Sequence, residues 1–440
     1  MKKIIKQSGK YLLIFIALVI LLSGLMFLTI VTIPREKVED NIKSSISELK
    51  SPIEVKRIKP ERYDTYLHVY ADEILLNMIY CMDTSKPLES MLKANYYDDG
   101  IHPNLEEAVK IESMGNTEYM RYWHGSMAII RPLLMFFNIT QIYYIFAVIL
   151  IILMLIMFGI LIKKKHYILL LATIIGLTMT SSIYVPFCLE YVWTYLIMFI
   201  VTIIAIHIEN RQKGNTYISM MMFITGILTC FFDFLSTETI TFLVPILFIY
   251  TIRYKEHRLK EIKKEIKQIC IWLILWLAGY GMMWIAKWLL ASFILHVNAL
   301  NYVSDKAMIR INGNMNEKTI SATIINGLIK NFKTIYPFYK IKEPIIGWTI
   351  FISILVAIIF LAKKNKEEWK KAGIVLGLGL IPYIRYIVIA SHSRGHYFFT
   401  FRAQLATIIA VIIVMYILID KNRLKKEIEI KTKHKKSKEN

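Results

Sequence analysis

Apolar residues in this chain come in long unbroken blocks, not in the alternating or one-in-three patterns of soluble domains. Blocks near the ~20-residue length of a bilayer crossing recur at about 11–33, 140–162, 167–185, 190–208, 216–235, 238–252, 269–292, 345–362, 373–391 and 403–420. Inside hydrocarbon each backbone amide must be satisfied within its own segment, so these blocks are helices. The pattern predicts an all-α, polytopic integral membrane bundle of about ten transmembrane helices. The first block follows Lys2, Lys3, Lys6 and Lys10, the polarity of a signal sequence. It is longer than a signal-peptide core and no small-residue cleavage site follows it, so it is expected to stay as the first span. Two long polar segments, 34–137 and 296–344, interrupt the series, and the other connections are short.

The first long segment carries its own helical pattern. Val38, Ile42, Ile46 and Leu49 recur at helical spacing. Within Ala71–Met82, Leu75, Met78, Ile79 and Met82 form one face, while Glu73, Asn77 and Tyr80 form another. Such helices are expected to lie along the membrane surface with the polar stripe upward. Met127–Phe137, which contains Arg131-Pro132, is too short and too charged to span and is expected to dip into the interface.

Charge then orients the bundle. The chain carries 54 Lys and Arg against 33 Asp and Glu, a net charge of +21, with a mean hydropathy of +0.47. The bases collect at Lys163–Lys165, at Arg211 and Lys213, from Arg253 to Lys267, from Lys363 to Lys371, and in the tail at 421–440. The alternate connections Ser181–Leu189 and Ser236–Glu238 carry none. Positive residues stay in the cytoplasm, so both termini are expected there and both long polar segments outside the cell membrane. Bases gathered between spans imply membrane lipids as partners and no nucleic acid. Cys81 and Cys188 both fall outside, which leaves a disulfide between them open, and the four cysteines lack metal-ligand spacing.

Ionisable residues near a bilayer are costly and are functional candidates by default. Here they gather at the outer helix ends: Asp72 and Glu73 in the first segment; Glu190, Asp233 and Glu238; Lys287 and Arg385; and His392, Arg394, His396 and Arg402. A cluster of acids and bases there suits transfer of a sugar from a lipid-phosphate donor. That reaction needs a carboxylate to take a proton from the acceptor hydroxyl and cations, or a divalent metal, to hold the departing phosphate. Asp72 or Glu73 suits the first role; Lys287, Arg385, Arg394 and Arg402 suit the second. Structural roles compete with each: capping for Asp72 and Glu73, snorkelling for Lys287 and Arg385, ion pairing for Glu190 and Asp233. His392 and His396, four apart, could share a metal, but spacing specifies no third ligand.

Several stretches resemble a family of uncharacterised multispanning proteins of Gram-positive bacteria that are similar to membrane glycosyltransferases of the C superfamily. They are Ala71-Asp-Glu-Ile-Leu-Leu-Asn77, Arg121-Tyr-Trp-His-Gly125 with Arg131-Pro-Leu-Leu134, Phe232-Asp-Phe-Leu235, and His392-Ser-Arg-Gly-His396 with Phe399-Thr-Phe-Arg402. The resemblance implies a polyprenyl-phosphate-type donor, a cell-envelope glycan acceptor and a catalytic carboxylate in the first external loop. That role falls on Asp72, with Glu73 beside it; in many members the acid follows span one closely, which here would be Glu39 or Asp40. His124 and Arg131 join Glu190, Asp233, Lys287, Arg385, His392, His396 and Arg402 as candidate substrate-binding residues. The competing readings are a transporter or flippase of lipid-linked saccharides, and an envelope polysaccharide polymerase or ligase.

The orientation has a direct test in a background without native cysteines. Cysteine at Asn116 should react with a membrane-impermeant thiol reagent in intact cells. Cysteine at Lys260 or Lys366 should react only after permeabilisation, and the reverse pattern overturns the orientation.

Overall fold

The computed structural model describes residues 2–49, 56–57, 66–67, 69–312, 320–338 and 344–420; the tail at 421–440 and the middle of the second long segment lie outside the described residues. Helix α1 (Lys2–Thr32) leads into a loop layer of α2 (Glu36–Leu49), α3 (Val69–Tyr80), α4 (Pro87–Lys93), α5 (Leu105–Lys110) and α6 (Met127–Leu133). Then come α7 (Ile139–Lys163), α8 (Tyr167–Met179), α9 (Leu189–Asn210), α10 (Asn215–Phe232), α11 (Ile240–Lys255) and α12 (Ile262–Leu295). The second long segment supplies α13 (Ala299–Asn312) and α14 (Ile320–Thr334). Helices α15 (Pro344–Leu361), α16 (Lys366–Val388), α17 (Ala390–Gly395), α18 (Tyr397–Thr400) and α19 (Leu405–Leu418) complete the described chain. Apart from a short pairing of 56–57 with 66–67, its regular structure is helical.

Among the described residues, seven helical stretches are long and apolar enough to cross a membrane: Ser8–Thr32, Ile139–Lys163, Leu189–Asn210, Asn215–Phe232, Ile262–Leu295, Lys366–Val388 and Tyr397–Leu418. Of the other expected spans, the one at 167–185 is shorter than its apolar run, while those at 238–252 and 345–362 correspond to helices of 16 and 18 residues. Helix α8 stops at Met179, where Ser181 takes a left-handed backbone (φ 50°) and a 3-10 turn over Ser182–Phe187, containing Pro186, ends the run. Helix α11 has 16 residues and is buried continuously from Ile240 to Arg253, the signature of a helix at the centre of a bundle.

Glycine sets the closest helix contact. A Cβ at Gly226 of α10 would stand 2.1 Å from the Trp276 carbonyl oxygen of α12, and one at Gly279 would stand 2.2 Å from that of Phe223. Small residues facing each other let the two backbones approach, as membrane helices require. At the basic end, the Glu209 carboxylate binds Arg253 and, at 3.0 Å, Arg258, and Glu368 pairs with Lys363 at 3.2 Å and Lys371 at 2.7 Å.

The opposite end carries both long segments. Helix α3 is not a surface helix: Val69, Asp72 and Ile74 through Tyr80 are all buried. Its polar stripe is covered because the loop satisfies it. Asn77 exchanges hydrogen bonds with the Tyr97 backbone (2.9 and 2.8 Å), the Tyr80 hydroxyl donates to the Val109 carbonyl (3.4 Å), and Glu73 accepts from the Leu105 amide (3.2 Å). Helix α14 is reversed. Thr323, Gly327, Asn331 and Thr334 face inward, where Asn331 donates to the Ser393 carbonyl (2.9 Å) and accepts from Thr400 (2.7 Å). Ile320, Ile325 and Ile329 face outward, with Ile320 and Ile325 more than half exposed. Cys81 and Cys188 are both buried free thiols.

The glycine contact is checked by Gly226→Ala. The added methyl has backbone in front of it, so the helices must separate, and unfolding in nanodiscs should show a loss of about 1–3 kcal/mol. An unchanged midpoint would mean that the helices part without cost.

Candidate functional site

At the loop-bearing end a cavity of about 620 Å³ opens between the loop layer and the bundle. Its walls come from α3 (Asp72), the strand-like stretch and turn at 116–124, the start of α9 (Glu190), Phe234, Tyr302 of α13, and His392, His396 and Phe399 beyond α16.

The α3 contribution is fixed by a helix end. Cys188, at the N-cap of α9, offers no side-chain cap to the first free amides. Asp72 supplies it from another element: Oδ2 accepts from the Leu189 amide (2.9 Å) and the Tyr143 hydroxyl (2.7 Å), and Oδ1 from the Glu190 amide (3.3 Å). A carboxylate at a helix N-terminus satisfies orphan donors and opposes the positive end of the dipole. It also sets Glu190 on the cavity wall.

The 121–126 turn is pressed onto the end of α10. The Gly125 amide donates to the Phe231 carbonyl (3.0 Å), and a Cβ there would stand 2.2 Å from the Phe231 ring, so only glycine fits. Trp123 points inward and donates to the Met283 carbonyl (2.7 Å), while Tyr122 and His124 line the cavity. His124 has a left-handed backbone (φ 55°) and is 1% exposed. Its Nε2 bonds to the Tyr119 carbonyl (3.0 Å), which makes Nε2 the donor and leaves Nδ1, without a hydrogen-bond partner, as an acceptor. Burial, with the nearby Lys287 charge, pushes its pKa down to about 3, so the ring is neutral at physiological pH. Tyr119, Tyr122 and Phe234 surround it, with ring centres 4.7, 5.9 and 5.2 Å away.

Five candidates from the sequence therefore share one wall: Asp72, His124, Glu190, His392 and His396, the last two with ring centres 4.6 Å apart. The others stand elsewhere. Glu73 turns to α5, where burial raises its pKa. Arg131 is wholly buried and staples the Ile33 and Ile79 carbonyls together. Asp233 accepts from the Ser236 amide (3.2 Å) and hydroxyl, closing its own turn. Lys287 donates to the carbonyls of Met91 (3.0 Å) and Leu92 (2.8 Å) at the end of α4, and Arg385 pairs with Glu238 (2.9 Å). Arg402 donates to the Phe398 carbonyl (3.1 Å) and lies over the Tyr191 ring (4.7 Å). Asp40 is exposed, and neither it nor Glu39 lines the cavity. Among the described residues no group of three or more His, Cys, Asp or Glu side chains could hold a metal ion.

Sequence reading missed the aromatic half of the wall: Tyr70, Tyr96, Tyr119, Tyr122 and Tyr302. Those tyrosines sit mostly in irregular backbone, where no period marks a shared face. No protein-family model, curated protein or solved structure matches the chain.

The Asp72 cap has a sharp test. Asparagine has one acceptor oxygen for three donors and turns an amide N–H₂ toward backbone N–H groups. Asp72→Asn should therefore cost about 1–3 kcal/mol in nanodisc unfolding, and Tyr143→Phe less. A silent Asp72→Asn would remove the tether from the account.

Proposed function

We propose that this chain is a membrane glycosyltransferase that moves a sugar from a polyprenyl-phosphate-type donor to a cell-envelope glycan acceptor. It works in the cavity, on the outer face of the cell membrane, with both termini in the cytoplasm. The observation that carries the reading is the convergence, in one chamber opposite the basic end, of three carboxylates, three histidines and a tyrosine-rich wall.

A second hollow supports a lipid-linked donor. About 720 Å³ of mostly apolar space lies between α7, α8, the 182–187 turn and α9, lined by Leu150, Ile151, Met154, Leu177, Phe187 and Phe199. It begins one to two turns along α7 from Tyr143, whose hydroxyl reaches Asp72. A lipid chain lying there brings its phosphate toward the Asp72–Glu190 end of the chamber.

In this reading the acceptor hydroxyl oxygen attacks the sugar's anomeric carbon and its proton passes to Glu190. The bond from that carbon to the donor's phosphate oxygen breaks, and the lipid phosphate leaves as the anion. Asp72, the base implied by the family resemblance, has both oxygens engaged by α9 and Tyr143, so we assign it to positioning and assign the proton to Glu190. We assign His392 and His396, on the cavity wall, to the leaving phosphate. A flippase would need charges at mid-depth, whereas the ion pairs described above stand at the two ends of the bundle.

Glu190→Gln should lower transfer by roughly 10²-fold or more in reconstituted vesicles. Cells lacking the protein should accumulate a lipid-linked sugar and lose a sugar from an envelope glycan. Full activity in Glu190→Gln removes the assigned base, and unchanged glycans and lipid-linked pools remove the function.

A further inference from the structure

We propose that the loop-side half of the cavity is a subsite for an acidic substituent, a carboxylate or a phosphate, on the molecule that enters from solvent. The proposal rests on the reading of this cavity as a saccharide chamber and adds the charge of one substrate.

Arg121 is the residue that asks for an anion. Its guanidinium carbon lies 4.4 Å from the centre of the Tyr119 ring and 5.7 Å from that of Tyr122, on the cavity wall. Its Nε is shielded from solvent and has no hydrogen-bond partner, the guanidinium bonds to the Tyr119 side chain, and no carboxylate among the described residues forms an ion pair with it. The nearest acid in sequence, Glu118, pairs with Lys93 instead (3.1 Å). Three buried arginines are paired: Arg253 with Glu209, Arg385 with Glu238 at 2.9 Å, and Arg131 with two carbonyls. A guanidinium drawn out of bulk water without a counter-ion is costly, and its planar fork matches a carboxylate or phosphate.

Two further observations define the ligand. The His124 ring, packed on the same Tyr119, offers a neutral acceptor nitrogen that a hydroxyl can satisfy. An acid with hydroxyls beside it, such as an acidic sugar or a polyol phosphate, meets both groups. Arg121 also stands on the α12–α13 flank: its carbonyl accepts from Trp288 (3.3 Å), and Tyr302 donates to the adjacent Glu118 carbonyl (3.1 Å). The apolar hollow lies on the α7–α9 flank, so a phosphate on a lipid held there belongs to the far side of the chamber. Arg121 therefore serves the other substrate.

The test reads binding rather than transfer. Thr117→Cys is placed on the cavity wall in a Cys270→Ser background, in nanodiscs, and its alkylation by a maleimide is timed. Glucose is compared with glucuronate, and glycerol with glycerol 3-phosphate. At least one acid should protect at a concentration about 10-fold below that of its neutral counterpart, and the arm that does so identifies the acid. Arg121→Gln should abolish the difference and leave neutral protection unchanged, while Arg121→Lys should retain part of it. Equal protection by acids and neutral compounds, or a preference that survives in Arg121→Gln, overturns the subsite; protection by glucose then leaves the chamber standing. No protection by any compound overturns both. Thermal unfolding of each variant separates loss of the subsite from loss of the fold.

Discussion

The loop-bearing end of the molecule depends on one carboxylate set against the bare start of a helix. Helix α9 begins without a cap of its own, and its first amides would be unsatisfied where they are buried. Asp72 answers two of them from the loop layer and takes a third bond from Tyr143 on α7. Three separate elements are thereby held in one register, and the cavity is the space left between them. That tether helps to fix Glu190 relative to the aromatic wall.

The remaining buried charges follow the same logic of local satisfaction. Arg131 and Lys287 are neutralised by backbone carbonyls, Arg385 by Glu238, and Arg253 by Glu209. Each joins segments distant in sequence, and each sits near an end of the bundle. The chamber wall also holds polar atoms without a hydrogen-bond partner, the His124 acceptor nitrogen and the Arg121 Nε among them.

Much of this was legible in the sequence, and the limits have physical causes. Long apolar runs and the placement of Lys and Arg report directly on the solvent, so the helical membrane bundle and its two unlike ends could be read from composition along the chain. The gathering of Asp72, Glu190, His392 and His396 was anticipated because ionisable residues near spans are few. Other features were not legible. The extent of α8 depended on the left-handed Ser181 and on Pro186, which end a run that hydropathy alone extends. The roles of Lys287 and Arg385 depended on which groups the fold brings opposite them, a long-range fact with no local signal. The burial of α3 was hidden for the same reason, because its polar stripe looks like a solvent face until Tyr97, Leu105 and Val109 close over it.

The reversed helix α14 carries a consequence for how the molecule is made. Its inward stripe needs Ser393 and Thr400, which exist as a surface only once the last helices are in place. Its outward isoleucines gain nothing from water. The inward stripe therefore meets its partners only in the presence of the last helices. A chain ending before Ser393 would leave that polar stripe without the partners it meets here.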